Sequence, residues 1–551
     1  MLQRDSVSRG SALAALFAFV LYLPRVAPTL TLMGDSAVFV SAATTWGVPQ
    51  PSGYPLWTTL GFLWSKLPLG EVAHRLHLLS AVLHALTVFV VGCTIALLTR
   101  SRLAALTGAL WLAFSRAFFL GSLYTEVFPL NDLFTALALY GGFLVYRAPT
   151  PGRLGALALI AGLASAHHQT IALLAPALAV LVAKGIRRVR REHFALFLAP
   201  ILFSYALIPL AAWREPFASW GDVRSFSALV SLVTRRDYGG LTSPHLGSAS
   251  ADGSTLVSAW IDGTLLAFTG WVLLAIAVGL WAGWRTDRRV LVSLCLAVLI
   301  PGPIFAVMNR LEVDTEHGRA FAERFSTQAA IPIAILVGLG VAFAYRALRE
   351  QLPASWLRVA LGLSAMIPLA RHVGDCDLRD DRRGLAVAHD TLHDIPDGAL
   401  VLVAGDALNG AALYLCGVEK RCGHTVVFSP GQMHLDWRVA QLRRRYPEVS
   451  LPSPAGKFLT SREIVAAKGA PGFVVFFHGN TLHASAGNLT PVDRLSIFIS
   501  YNTVANALQP VANPRPAFIS ERDFTPLDPL PDDALLAPLN GTTRATLAAV
   551  H

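Results

Sequence analysis

The feature that most limits how this chain can fold is a series of apolar runs, each about as long as a bilayer is thick, with Lys and Arg concentrated in every second connection between them. A helix needs about 20 apolar residues to cross the hydrocarbon core, and about eleven runs qualify as spans. They cover residues 11–31, 71–99, 103–120, 126–146, 154–167, 169–184, 194–213, 259–284, 289–308, 327–346 and 355–372. A chain of 551 residues that is 54% hydrophobic and only 15% charged is too apolar for a string of soluble domains. The reading is a polytopic α-helical membrane protein.

The stretch 154–183 exceeds one straight crossing and carries His167 and His168 at its centre, so it is expected to be a tight pair of short helices. Charge placement supports the division. Arg4 and Arg9 precede the first run; Arg100 and Arg102, Arg147 and Arg153, the cluster at 184–191, Arg285 to Arg289, and Arg346 to Arg349 then fall on alternate connections. Those connections are cytoplasmic under the positive-inside rule. With 154–183 as a single helix, the densest basic cluster would face outward. The formal charge of +10 is therefore mainly a topology signal with some attraction for anionic lipid, and it calls for no nucleic acid partner.

The first run follows basic residues as a signal peptide does, but no small-residue cleavage site precedes Asp35, so an uncleaved first span with a cytoplasmic N-terminus is expected. From about residue 372 the composition changes. Residues 1–371 form the membrane domain, and 372–551 are expected to be a small extracytoplasmic α/β domain, with strands at 399–404, 425–428 and 472–477 alternating with helical patterns such as 433–446. Gly405 and Asp406 follow the first of these strands as a possible loop site, with a simple turn as the default reading. Cys416 and Cys422 lie where an oxidising compartment permits a bridge, whereas Cys93 and Cys295 sit in apolar runs as packing residues and Cys376 is left over.

On this topology the polar groups fit for chemistry all fall in outer connections. They are Asp35, the Gly53-Tyr54-Pro55 loop, the segment from Tyr124 through Glu126 to Asn131 and Asp132, His167 and His168, the segment from Asp222 to Arg235, Arg236 and Tyr238, and Arg324. Each has a plainer reading: Asp35 as a cap of the helix that follows, Glu126 and Asp132 as partners of a helix dipole. Adjacent histidines point to different sides of a helix, and no second pair has ligand spacing, so hydrogen bonding to a polar substrate is preferred over metal for His167 and His168. Arginines in an outer loop are not asked for by topology. A phosphate explains Arg235, Arg236 and Arg324.

Taken in order, Gly34-Asp35-Ser36, Pro51 to Leu56, Glu126 to Asn131, Ala166 to Thr170, and Trp220 to Asp222 leading to Arg235 through Gly239 resemble segments of the bacterial relatives of eukaryotic transmembrane-protein O-mannosyltransferases. That family is similar to the GT-C superfamily of membrane glycosyltransferases that use polyprenyl-phosphate sugars. The resemblance covers about residues 11–330 and is weaker around 400–419. It implies a GT-C-like fold in a bacterial inner membrane and an inverting transfer of a sugar, with mannose the candidate, to a hydroxyl acceptor on protein or surface glycan. Asp35 would be the base, and no metal or other cofactor is implied. The roles left are sugar or acceptor contacts for Tyr54, Glu126, Asn131, His167, His168 and Asp222. The chain departs from the family in lacking a Glu after Asp35 and in carrying Ser52 where a proline is usual. The alternative is a transporter or flippase for a lipid-linked glycan, which would call for polar groups near the midplane, interrupted helices and internal repeats.

Overall fold

The computed structural model describes residues 2–447, apart from 241–251, 312, 314–315, 394, 396, 404, 430–431 and 433–434. Nearly every apolar run becomes a helix. Six helices have the length and composition to cross a membrane: Val72–Thr99, Phe128–Arg147, Gln169–Arg188, Arg191–Trp213, Arg288–Met308 and Thr327–Leu348. A bent pair brings the number to seven among the described residues. The first run is the helix Leu2–Tyr22, packed along Val72–Thr99.

Several of the eleven expected spans are not continuous. Residues 259–284, taken above as one crossing, are two helices, Gly253–Phe268 and Val272–Thr286, that meet at 102°. At the corner Thr269 takes a φ of +69°, outside any helix. Residues 103–120 break at Phe114 and Ser115, and 355–372 at Ser364 and Ala365. The helix Pro151–Ser165 ends before His167, and the next helical segment starts at Gln169, as the two-helix reading of 154–183 requires.

Side-chain caps mark several starts on the basic side: Ser101 Oγ accepts from Ala104 N, Thr150 Oγ1 from Arg153 N, and Asp287 from Arg289 N and Val290 N. The interior is close-packed through small residues. A Cβ on Gly279 would lie 2.1 Å from Leu336 O, and one on Gly340 2.4 Å from Ala275 O, so the helices carrying them touch backbone to backbone. Burial differs by position. The apolar window of Phe128–Arg147 is 72% buried, whereas that of Arg191–Trp213 is 17% buried and leaves most of its apolar side chains uncovered by the rest of the described chain.

Beyond the last helices of the membrane portion, strands Leu400–Leu402 and Val426–Phe428 pair in parallel, with the helix Asp406–Tyr414 between them in sequence. Cys416 and Cys422 are bridged, and Cys376 is buried and free. These two strands fall within the stretches 399–404 and 425–428 read as strands above. The strand expected at 472–477 lies outside the described residues.

Candidate active site

The connections assigned above to the outer face converge on one cavity of about 670 Å³, a volume in the range of small-molecule sites. The walls are tied together by backbone. Val48 bridges Ser219 in parallel fashion, with Val48 N donating to Ala218 O at 3.0 Å and Trp220 N to Val48 O at 2.7 Å. Gly47 permits this: a Cβ there would lie 1.9 Å from Ala218 O. On the opposite side the helix Asp406–Tyr414 packs against Ser36–Thr45 and brings Asp406 and Asn409 into the lining.

Asp35 precedes the helix Ser36–Thr45, but its side chain makes no capping bond, which leaves the carboxylate for other work. It lines the cavity with 30% of its side chain exposed. Glu126 sits behind it. Glu126 Oε1 accepts from Asp35 N at 3.1 Å and from Arg324 Nη1 at 2.6 Å, while Arg324 Nη1 is 3.6 Å from Asp35 Oδ2. Two carboxylates thus share one guanidinium. Burial raises the Asp35 carboxyl, against the pull of Arg324 and with the help of Asp406. Burial likewise pushes Glu126 up to about 7, opposed by Arg324 and reinforced by Asp35. Gly34 is what the arrangement requires at its position, since φ is +56° and a Cβ would meet both Arg324 Nη1 and Glu126 Oε1 at 2.3 Å.

A second layer fixes this trio. Thr327 Oγ1 lies 3.2 Å from both Arg324 O and Asp132 Oδ1, and Asp132 Oδ2 is 3.2 Å from His84 Nε2, whose Nδ1 meets Ser122 Oγ at 2.8 Å. The competing dipole role for Asp132 gives way to a buried pair with His84. Arg116 and Glu323 pair just beside.

Other candidates separate. Tyr54 lines the cavity from a left-handed backbone position, φ +39°, with its ring 5.4 Å from that of His168. His168 also lines it; Thr170 N donates to His168 Nδ1 at 3.2 Å, which places the ring proton on Nε2. His167 is fully buried, with Nε2 on Val127 O at 3.0 Å. Asn131 is buried too, donating to Thr170 Oγ1 at 3.3 Å. Both support the lining and are not part of it.

Three sequence-level assignments change. Asp222 is drawn off by Arg224 at 3.1 Å and Arg444 at 2.6 Å, in a cluster apart from the main lining. The acid that this loop gives the cavity is Asp237, whose Oδ2 accepts from the indoles of Trp220 at 2.8 Å and Trp437 at 3.0 Å. Arg236 is exposed and outside the lining, whereas Arg235, also left-handed at φ +57°, lines it with Nε buried and unpartnered. Arg324 is engaged by carboxylates and so is a poor first contact for a phosphate. Asp406, which the sequence offers only as a possible loop site after a strand, joins the lining, whereas nothing in the sequence singles out Trp437 and Arg438, far along the chain in a segment with no motif. Among the described residues no group of three or more His, Cys, Asp or Glu is placed to hold a metal ion.

Fold and site together define a polytopic helical protein, with helices long and apolar enough to cross a membrane and an acid-bearing cavity at one face of the bundle. A solved structure of ArnT from Cupriavidus metallidurans bound to undecaprenyl phosphate matches with a TM-score of 0.52 over 78% of this chain and 90% of that one, at 13% identity, a likeness of fold alone. The family model for the N-terminal domain of protein O-mannosyl-transferase TMEM260 matches residues 35–190. Protein O-mannosyl-transferase TMEM260 of Mus musculus is 28% identical over 476 residues, 82% of this chain and 66% of the relative. Its counterpart in Dictyostelium discoideum is 22% identical over 458 residues, 73% of this chain and 55% of that one. The chain is a relative of these O-mannosyltransferases, and it spans somewhat under two thirds of their length.

A separate likeness begins inside the segment read above as one C-terminal domain. Residues 418–496 match the phytanoyl-CoA dioxygenase (PhyH) family model. Ectoine dioxygenase of Stutzerimonas stutzeri is 35% identical over 142 residues, 25% of this chain and 45% of that protein. Nothing in the sequence reading anticipated it.

Proposed function

We propose that this protein is a membrane glycosyltransferase that moves a sugar, with mannose the candidate, from a polyprenyl-phosphate donor to a hydroxyl acceptor on protein or surface glycan. The transfer takes place at the extracytoplasmic face of a bacterial inner membrane. The observation that carries the reading is Asp35: a cavity-lining carboxylate with no capping duty, its affinity for a proton raised by burial, beside a partly committed Arg324. Relatedness to O-mannosyltransferases supports the substrate class. The ArnT structure, bound to undecaprenyl phosphate, supports a lipid-linked donor.

In the proposed step the acceptor hydroxyl gives its proton to an Asp35 oxygen as its own oxygen bonds to the anomeric carbon. The bond from that carbon to the phosphate oxygen breaks, and its electron pair leaves with the polyprenyl phosphate. One displacement inverts the anomeric centre. A phosphate is already a good leaving group, so the reaction asks for a base and a cation and not for a general acid. Arg235, which lines the cavity with its Nε unpaired, is the cation assigned to the departing phosphate. Glu126 and Arg324 hold Asp35 in place, while Tyr54 and His168 offer ring and N–H contacts to a sugar. The scheme uses no metal or organic cofactor.

The test supplies purified protein with polyprenyl-phosphate mannose and a hydroxyl-bearing peptide and measures release of polyprenyl phosphate. Wild type is expected to turn over with and without chelator, and Asp35→Asn to lose about 10² to 10⁴ of the rate. Equal rates would remove Asp35 as base. A wild type inert toward every polyprenyl-phosphate sugar tried would remove the transferase reading itself.

A further inference from the structure

Arg438, like Arg235, lines the cavity with its Nε buried and unpartnered. It belongs to the helix Asp436–Arg445, lines the cavity beside Trp437, and is 6% exposed. Its Nη1 donates to Gln441 Oε1 at 2.6 Å, and Gln441 is in turn held by Ser219 O at 3.0 Å through its amide nitrogen. The Gln441 oxygen is therefore turned to Arg438, and the guanidinium is oriented. Its Nε is buried with no partner, and among the described residues no carboxylate pairs with it. The neighbouring charge is another arginine, Arg445, and burial together with that like charge pushes Arg438 down to about 10.

The other arginines at this end, Arg235 apart, are satisfied. Arg324 has Glu126 and Asp35, Arg444 has Asp222, and Arg445 donates to Glu215 O at 2.8 Å and Pro216 O at 3.1 Å. A guanidinium that served only to tie the helix to the 215–219 loop would use such carbonyls, as Arg445 does. Arg438 instead keeps its Nε unpaired, and a buried cation without a counter-charge is costly unless an anion completes it. A guanidinium edge matches a phosphate or carboxylate in shape as well as charge.

We infer that Arg438 anchors an anion subsite on the extramembrane wall of the cavity, one that takes a phosphate-class oxyanion. Its place in catalysis rests on the transferase reading of the cavity; its existence does not. The same chemistry reaches it from one of two sources, the phosphate of the lipid donor or an anionic group on the acceptor.

The experiment measures binding of inorganic phosphate and of a short-chain polyprenyl phosphate to detergent-purified full chain by thermal shift and calorimetry. The proteins compared are wild type, Arg438→Gln, Arg438→Met and Arg235→Gln. Wild type is expected to be stabilised by inorganic phosphate, and Arg438→Gln to bind it about tenfold more weakly, the loss of a charge-assisted contact. Arg438→Met without ligand is expected to melt no lower than wild type, since removal of an unbalanced buried charge relieves its cost. If Arg438→Gln also weakens the polyprenyl phosphate, the donor supplies the anion. If it weakens only inorganic phosphate while Arg235→Gln weakens the lipid, the acceptor supplies it. Phosphate affinity unchanged in Arg438→Gln, or a clear drop in melting of ligand-free Arg438→Met, overturns the inference. None of these readouts needs sugar transfer, so an inactive enzyme leaves them intact.

Discussion

Asp35, Glu126 and Arg324 carry two acids against one base, and the distribution of the single positive charge decides which carboxylate works. The 2.6 Å contact commits Arg324 chiefly to Glu126, leaving Asp35 at 3.6 Å as the more accessible group. Glu126 lies in the connection before the Phe128–Arg147 span, and burial lifts it from its ordinary 4.5 to about 7. Between those values the folded protein holds more protons than the unfolded chain. Its contribution is therefore fully present below pH 4.5 and is lost as the pH rises through 7. Glu126→Gln is accordingly expected to flatten the fall in melting temperature between about pH 5 and pH 8. It also frees Arg324 to close on Asp35, which lowers the Asp35 carboxyl, so the acid limb of the rate profile is expected to move to lower pH. Melting and turnover across a pH series read both effects; an unmoved acid limb means Arg324 does not choose between the two acids. Asp35 was legible from the sequence through its place in an outer loop. The Glu126–Arg324 pair was not, because 198 residues separate its members and neither sits in a motif that names the other.

At the scale of elements, the site depends on how closely the Asp406–Tyr414 helix approaches Ser36–Thr45. Gly410 allows the contact: a Cβ there would stand 2.9 Å from Ala37 Cβ and 3.4 Å from Val38 N, immediately beyond Asp35. Gly410→Val is expected to cost about 1 to 3 kcal/mol and to lower turnover by shifting Asp35 and Asp406 apart. Gly152→Ala, which meets nothing within 4 Å, serves as the control with neither effect. Denaturation and turnover of the two variants give the comparison, and full activity of Gly410→Val would show that this wall tolerates displacement. Helix existence was readable because runs of Leu, Ala, Val and Phe declare themselves by length. The break at His167 was readable because polar rings and a basic cluster forced it. The 102° corner at Thr269 was not, since apolar residues continue through it and nothing in composition separates a bent pair from one long span.

For the whole molecule, the alternation of basic connections is tested by which loops the fold gathers. The cavity is lined from residues 35–54, 126–128, 168–170, 217–240, 305–325 and 405–438, every one in a connection assigned to the outer face or at the outer end of a span. None of the basic clusters at 100–102, 147–153, 184–191, 285–289 or 346–349 contributes to it. The one lining stretch beyond residue 372 must then share that face, which requires an odd number of crossings after the basic end at 346–349. On the expected topology the broken pair Ala354–Leu363 and Met366–His372, 10 and 7 residues long, would have to supply it. The dioxygenase likeness from residue 418 escaped the sequence reading because a buried strand pattern such as 472–477 is shared by many α/β and β folds and carries no chemistry of its own. Single cysteines at three exposed arginines test the topology, in a background with Cys93, Cys295 and Cys376 replaced by serine. A membrane-impermeant maleimide applied to intact spheroplasts is expected to label Arg236→Cys and Arg383→Cys but not Arg187→Cys, and applied to inverted vesicles to do the reverse. Labelling of 187 and 236 from the same side would break the alternation. Labelling of 383 together with 187 would instead place the 354–372 pair on one face and detach the Asp406 and Arg438 wall from the site that the other loops build.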